Sequence, residues 1–450
     1  MIGRINYKKY TKNKNIKWIW LLVCTMMLST PIFVSCGKSG DELIEKPEDD
    51  NSSYPEIPDT PEVPESGYLS SAEQKKYLDV VGQEFIAYVK ANEFKNIVDL
   101  TEYMNDVEYD SDEVEEWAER CLEDITEVLD SYEKHGYYYT TYSRLYAASN
   151  FTGHFTVKNG EWKYSKANDL QFCFKDQSGK ECILKLEASK NAKKVYVGSE
   201  EEYDYDYDGY KYYEYIDNYE NFIMVPEKIT VTLTQGGKSL AEFTMTTDLK
   251  MVDGEDFNLE KDSYNVSASL KVNDYEYKLD KALYKAQSTA NITMNMTKGK
   301  TNLLSVNASV NTKVKDEELS EAKNAKLEFD ILGKVKIVGT CTDIAKLAEK
   351  LEKADDNCEN EGTFKSYITE ANGMMSLKVY YEGTDKEQAS LKLEPFFDND
   401  WGYGEWIYEP VICFKDGTGY STFEAFFDED DFEDFIQALD KLTEDFEDLV

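Results

Sequence analysis

The spacing of apolar residues along the chain predicts four helices. From Ser71 onward, apolar residues recur every three or four positions and Glu73 stands early in the segment, which is typical of the start of an amphipathic helix. Similar stripes predict helices over residues 112–134, closed by Gly136, over Asp343–Ala354 and over Asp428–Leu449. The last of these carries an acidic polar side.

Between the helices, apolar residues alternate with Thr, Ser, Asn and Lys, a period of two that is typical of strands with one solvated face. Turn residues separate the alternating segments at 176–179, 236–237, 298–299 and 416–417. The pattern predicts the α+β class, with long, curved antiparallel β-sheets packed on a few helices. Such a sheet around a helix is similar to periplasmic lipid carriers and tubular lipid-binding proteins, at the level of fold alone.

The two halves of the chain resemble each other weakly. Residues 167–187 and 371–394 both begin with Ala-Asn, continue as an alternating strand and a turn, and end in Leu-Lys-Leu-Glu, and a predicted helix precedes each. The likeness indicates either an internal duplication or the default similarity of alternating strands. We divide the folded part into residues 68–250, a helical start plus a first β domain, and residues 251–450, a second β domain with the central and C-terminal helices.

Composition excludes several classes of function. The chain has 89 acidic and 50 basic residues, a formal net charge of −39, which repels phosphate backbones and argues against a nucleic-acid partner. Only two histidines occur, which excludes most His-centred metal and nucleophile chemistry. No catalytic motif is present, so we expect no enzyme; paired carboxylates keep a hydrolase open as an alternative.

The first 36 residues resemble the signal of a bacterial lipoprotein. Six basic residues lie within positions 1–17, a mostly apolar run follows from Trp18 to Val34, and Ser35 precedes Cys36. The resemblance implies that residues 1–35 are a signal peptide, that cleavage occurs before Cys36, and that its sulfur carries a diacylglycerol. The alternative is an uncleaved N-terminal anchor helix.

Residues 36–67 hold five of the nine prolines among acidic and small polar residues, which predicts a semi-rigid linker. The segment 37–42 is similar to the acidic signals that follow the lipidated cysteine in Bacteroidota surface lipoproteins. This resemblance implies an outer-membrane lipoprotein on the cell surface, held to the membrane by its acyl anchor. A periplasm-facing anchor is the alternative.

Two groups of residues are candidates for covalent or metal chemistry. If the turn at 176–179 is symmetric about Gln177 and Ser178, Cys173 faces Cys182, which indicates either a disulfide or two buried thiols. Asp204, Asp206 and Asp208, followed by Gly209, match the first half of a calcium loop, although Tyr215 occupies the place of its last ligand. They predict a Ca²⁺ site or, alternatively, a solvated acidic loop; no other cofactor is expected.

Aromatic residues interleaved with acids form the candidate ligand site. In an extended chain, tyrosines 203, 205 and 207 share one face, and the same composition recurs near residue 401. We expect these loops to bind a glycan or a protein, or simply to pack on sheet edges. The candidates are Tyr203, Tyr205, Tyr207, Tyr210, Trp401 and Trp406. The expected function is a non-enzymatic binding or structural protein; the alternative is a carrier that holds a hydrophobic ligand inside the curved sheet.

Overall fold

The computed structural model describes residues 57–65, 67–109, 125–207, 212–316, 318–399, 404–427 and 431–449. Its helices are α1 (Ser71–Tyr88), α2 (Lys95–Asp106), α3 (Ile344–Asp355), α4 (Glu361–Met374), α5 (Phe423–Phe426) and α6 (Glu433–Glu447), with 3-10 turns at Ala91–Glu93 and Ala148–Asn150. Helix α1 begins as its sequence predicts: the Ser70 hydroxyl accepts from the Glu73 N–H, and the Glu73 carboxylate accepts from the Ser70 N–H.

The described residues also form 21 strands, which are β1 (Glu108–Tyr109), β2 (Ile125–Lys134), β3 (Tyr137–Ala147), β4 (Gly153–Lys158), β5 (Glu161–Ser165), β6 (Leu170–Lys175), β7 (Glu181–Ala188), β8 (Ala192–Tyr207), β9 (Tyr212–Pro226), β10 (Lys228–Gln235), β11 (Lys238–Lys250), β12 (Ser263–Val272), β13 (Tyr275–Lys285), β14 (Thr289–Lys298), β15 (Thr301–Lys315), β16 (Glu318–Ile331), β17 (Val335–Asp343), β18 (Met375–Tyr381), β19 (Ala389–Asp398), β20 (Glu405–Phe414) and β21 (Tyr420–Thr422). The α+β prediction, with long antiparallel sheets packed on a few helices, is confirmed.

One large sheet contains 17 of these described strands. From β10 to β20, each strand pairs antiparallel with the next one in the chain. Strands β7, β6, β4, β5 and β1 extend the sheet on the other side of β10. The remaining four strands form a smaller sheet in the order β2-β3-β9-β8, in which β3 runs parallel to β9.

Helix α1 crosses several strands of the large sheet, from the start of β19 to β13 and β14. Gln74, near its start, donates to the backbone oxygen of Gln388, which lies just before β19. At its end, the Tyr88 backbone oxygen accepts from Tyr275 in β13 and Lys298 in β14. Eighteen helical residues span about 27 Å, which matches the roughly 24 Å across five strand spacings from β13 to β18. We call the side of the sheet that α1 covers the helix face.

Helices α6 and α2 cover neighbouring parts of this face. Helix α6 lies against α1 where a Cβ on Gly82 would stand 2.5 Å from the Phe435 ring, so glycine permits the close approach. The apolar side of helix α2 packs against strands β4–β7 and β10–β13. We call the hydrophobic core that they form the first core. The core residues from α2 and these strands include Ile97, Leu100, Met104, Trp162, Phe172, Leu233 and Leu270.

Helices α3 and α4 cover the same face at the other end of the strands. Phe364 and Ile368 of α4 pack with Leu393 of β19 and Tyr408 of β20. Leu393 shares its face with Ala389, four residues earlier, and Ala389 packs with Phe432, next to the start of α6. The two helical groups therefore leave part of the helix face between them.

Two predictions of local structure need correction. Residues 125–134, predicted as the end of a helix, form strand β2, and residues 112–124 lie outside the described part. His135 and Gly136, with φ of 58° and 87°, make the tight turn into β3 instead of closing a helix. The helix that the duplication requires before its first copy is thus replaced by a strand over these residues.

The boundary placed between residues 250 and 251 does not coincide with a break in the sheet. Strand β11 ends at Lys250, and β12 pairs with it over ten residues, from Ala241 with Val272 to Lys250 with Ser263. The first core also draws residues from both sides of that boundary, such as Leu233 and Leu270.

Candidate functional site

An apolar trough lies on the helix face between α1 and the α3–α4 pair. Its cavity volume is about 280 Å³. We call this feature the apolar trough; the residues that line it on this face are Ala325, Leu327, Gly339, Cys341, Leu347, Met375, Leu377 and Leu391. Leu347 comes from α3, and the others come from strands β16 to β19.

Strand register explains why these residues meet. Leu327, Gly339, Leu377 and Leu391 pair directly with one another across four neighbouring strands. Because side chains alternate along a strand, this row shares its face with Val335, four residues before Gly339, which is buried under α1. The row lies just beyond the cover of that helix.

The row continues beyond the trough onto strands with little cover. Leu327 pairs with Ala308 of β15, which pairs with Ile292 of β14. Ile292 and Leu327 are each 36% exposed and Met294 is 40% exposed. The apolar row from β14 to β19 thus crosses five strand spacings, roughly 24 Å. Contiguous exposed apolar surface of this kind marks an interaction site more often than isolated residues do.

Gly339 gives the trough its depth. Its backbone φ is not in the left-handed region, so the conformation does not require glycine. A Cβ at this position would stand 3.4 Å from the Cβ of Leu327, in the space above the sheet. A glycine inside a strand often marks a place where another group approaches the backbone closely.

The chemistry that the trough offers is apolar contact. Three polar residues also border the cavity: Lys326, Thr340 and Ser376, which pair with one another across β16, β17 and β18 and alternate with the apolar residues along each strand. Strand alternation directs these polar side chains to the opposite face of the sheet. The trough therefore suits binding of a hydrophobic group.

The predicted aromatic site is spread over two sheets. Tyr203 lies in β8 and is 58% exposed, and Tyr205 and Tyr207 continue the same strand. Trp406 lies in β20 of the large sheet; its ring centroid is 5.3 Å from that of Phe397, and the Lys365 ammonium lies 4.2 Å from it. Tyr210 and Trp401 lie outside the described residues.

The calcium and anchor predictions are not tested by this structure. Asp204 and Asp206 belong to strand β8, while Asp208 lies outside the described residues. Within the described ranges, no three His, Cys, Asp or Glu residues are arranged to hold a metal ion. Cys36 also lies outside the described part, so acylation there stays a prediction.

The predicted disulfide between Cys173 and Cys182 is wrong. The turn is centred on Ser178, with Lys175 opposite Glu181, so Cys182 pairs with Phe174 instead. This shift of one position places Cys182 in the first core and Cys173 on the other face of the sheet. Both thiols are free, and burial raises the pKa of each.

Sequence reasoning missed the apolar trough. Its residues are scattered over positions 325–391 and meet through the pairing of β16, β17, β18 and β19 and the packing of α3. The usable signal was Gly339, a single glycine inside the alternating segment 335–343 with no turn residue beside it.

Comparison with protein-family models, with curated proteins and with solved structures finds no match to this chain. In the described part of the chain, no helix has the length and apolar character needed to span a membrane.

Proposed function

We propose that this chain is a lipid-anchored protein of the cell envelope that binds a hydrophobic ligand in the apolar trough and catalyses no reaction. The observation that carries the proposal is the apolar row from Ile292 to Leu391, which is exposed at Ile292 and Leu327 and continues into the trough. Cys36, the signal-like segment before it and the proline-rich linker after it support the anchored location. The surface of the outer membrane is the location we favour.

The size and shape of the trough define the ligand class. Its volume of about 280 Å³ lies just below the range of small-molecule pockets, which begins at about 300 Å³. It fits one hydrocarbon chain or a small apolar ring system better than a bulky multi-chain lipid. Covering exposed apolar area gains roughly 25 cal/mol per Å², which is the driving force available here. A ligand that stays partly exposed also leaves readily, as a carrier requires.

The glycan or protein reading of the aromatic loops has less support. The Trp406 ring already contacts Phe397 and the Lys365 side chain, as a packed sheet-edge residue does. Tyr203 is exposed, but it lies in the other sheet. Among the described residues, the aromatic segments around Tyr203 and Trp406 therefore do not form one common binding site.

Filling the trough tests the proposal. In Gly339→Trp, an indole occupies the space beside Leu327, so we expect at least tenfold weaker binding of a fluorescent fatty-acid probe. Lys336→Trp is the matched control, because Lys336 lies on the same strand, is exposed and faces the opposite side. Circular dichroism establishes that both variants are folded. Equal probe binding by the two variants and the parent chain would exclude the trough as the ligand site.

A further inference from the structure

On one face of the smaller sheet, tyrosines of the parallel strands β3 and β9 stack on each other. Tyr138 pairs with Tyr215, and Tyr142 with Tyr219, along the parallel strands β3 and β9. The ring centroids are 5.3 Å and 5.1 Å apart, with interplanar angles of 23° and 17°. The Tyr219 ring is buried, at 8% exposure, whereas the side chains of Glu200 and Glu202 are 61% and 60% exposed. The rings that a planar group from outside can reach are therefore those of Tyr138 and Tyr215, which are half-buried. We call this face of the smaller sheet the tyrosine face.

The chain already places a guanidinium on this face. The Arg144 guanidinium carbon lies 3.8 Å from the centroid of the Tyr219 ring. Its nitrogens lie 3.5 Å from a Glu200 oxygen and 3.6 Å from a Glu202 oxygen. Stacking on an aromatic ring with carboxylates at the edge is the arrangement in which arginine is recognised in protein interfaces. The position of Arg144 therefore shows that the tyrosine face accommodates a guanidinium group.

Carboxylates are in excess on the same face. Glu202 pairs directly with Asp217, and Glu200 pairs with Tyr219 one rung further along. Like charges directly opposite each other destabilise a sheet. Burial, and after it the neighbouring Glu202, raises the pKa of Asp217. Asp204, opposite Tyr215, and Glu133, opposite Tyr138, add two more carboxylates to the outer tyrosine rung. A cationic partner would relieve this repulsion.

We propose that the tyrosine face binds an arginine-containing peptide segment of a partner protein. Guanidinium groups of the partner stack beside the tyrosine rings as Arg144 does, and the carboxylates from β8 and β9 pair with them. The inference goes beyond the hydrophobic ligand, because the tyrosine face and the apolar trough belong to different sheets. Either proposal can fail while the other stands.

The test uses the full chain and a fluorescein-labelled peptide of alternating Arg and Ser. The double variant Glu202→Gln with Asp217→Asn removes two negative charges from the tyrosine face. We expect it to bind the peptide at least tenfold more weakly at physiological salt. The control, Glu201→Gln with Glu214→Gln, removes two charges from the opposite face of the same two strands, and we expect less than a twofold change. Equal losses in both variants would show attraction by net charge alone and overturn the proposal.

A second peptide separates stacking from charge. In it, lysine replaces every arginine, so the charge is the same but the planar guanidinium is absent. We expect it to bind at least fivefold more weakly than the arginine peptide. Equal binding of the two peptides, or no binding of either, overturns the proposal. Binding of neutral oligosaccharides with no binding of the arginine peptide would also overturn the proposal and assign a glycan ligand to this face.

Discussion

Two buried amides hold the start of the folded chain against the large sheet. Gln74 and Gln388 are both fully buried. The Gln388 side chain accepts from the Leu69 N–H at 2.9 Å and donates to the Gly67 oxygen at 2.8 Å, while Gln74 donates to the Leu69 oxygen at 3.0 Å. The amides thereby satisfy backbone groups of residues 67–69, a segment that pairs with none of the described strands. Each group would be costly to leave unpaired in a buried position.

Replacing Gln388 with alanine should destabilise the protein by about 2–4 kcal/mol, since the variant leaves a buried N–H and a carbonyl without partners and opens a small cavity. The measurement is the free energy of unfolding from urea titration. Gln437→Ala is the control, because that exposed amide bonds only Glu433 on its own helix; its expected cost is below about 0.5 kcal/mol. Similar costs for both variants would mean that the buried amides do not anchor this segment.

At the scale of elements, a lysine joins the end of α1 to the sheet. Lys298 of β14 donates to the Tyr88 oxygen at 2.9 Å, to the Tyr275 hydroxyl at 2.8 Å and to the Glu93 carboxylate at 2.7 Å. Burial disfavours the charged forms of Lys298 and Glu93, but the hydrogen bonds that these groups make favour the charged forms by more. The pKa of Lys298 is therefore raised, and that of Glu93 is lowered.

Lys298→Met should cost about 1–3 kcal/mol at neutral pH, because three acceptors lose their shared donor. The lowered pKa of Glu93 means that its stabilising effect is present above the ordinary glutamate pKa and is lost as pH falls through the folded value. The gap in unfolding free energy between parent and variant should therefore narrow below about pH 4. Urea titrations at pH 7 and pH 3 measure it. A difference in unfolding free energy of the same size at both pH values would contradict the role of Glu93. The control is Lys95→Met, because Lys95 forms an exposed ion pair with Asp99.

Local patterns predicted the elements whose signals are local. The serine and Glu73 at the start of α1, the apolar stripe of α3 and the glycine turns of the hairpins act within a few residues, and each is present in the structure. Strand β2 was mistaken for a helix because its apolar spacing fits both; partners from β3 and the His135-Gly136 turn decide its conformation. The apolar trough depends on strand register, which brings Leu327 and Leu391 into one row although they are 64 positions apart in the sequence. No local sequence pattern contains this information.

At the scale of the whole molecule, the large sheet makes both halves of the chain depend on each other. Strand β11 of the first half pairs over ten residues with β12 of the second half. Leu233 from the first half and Leu270, Val272 and Tyr275 from the second lie in one core with Phe94. Separating the halves would expose this core and leave two long strand edges without partners.

We therefore expect the parent chain to unfold in one cooperative transition, although its length would allow two domains. A protease site inserted into the connection 251–262, between β11 and β12, makes the test direct, because cleavage there leaves every described strand intact. After cleavage, the two fragments should stay associated under native conditions and, once separated in denaturant, should refold only when mixed. Calorimetry of the uncut chain should give a single peak. Two separate peaks, or a fragment that refolds alone, would show that the sheet joins two independently stable domains and that the pairing of β11 with β12 adds little to either.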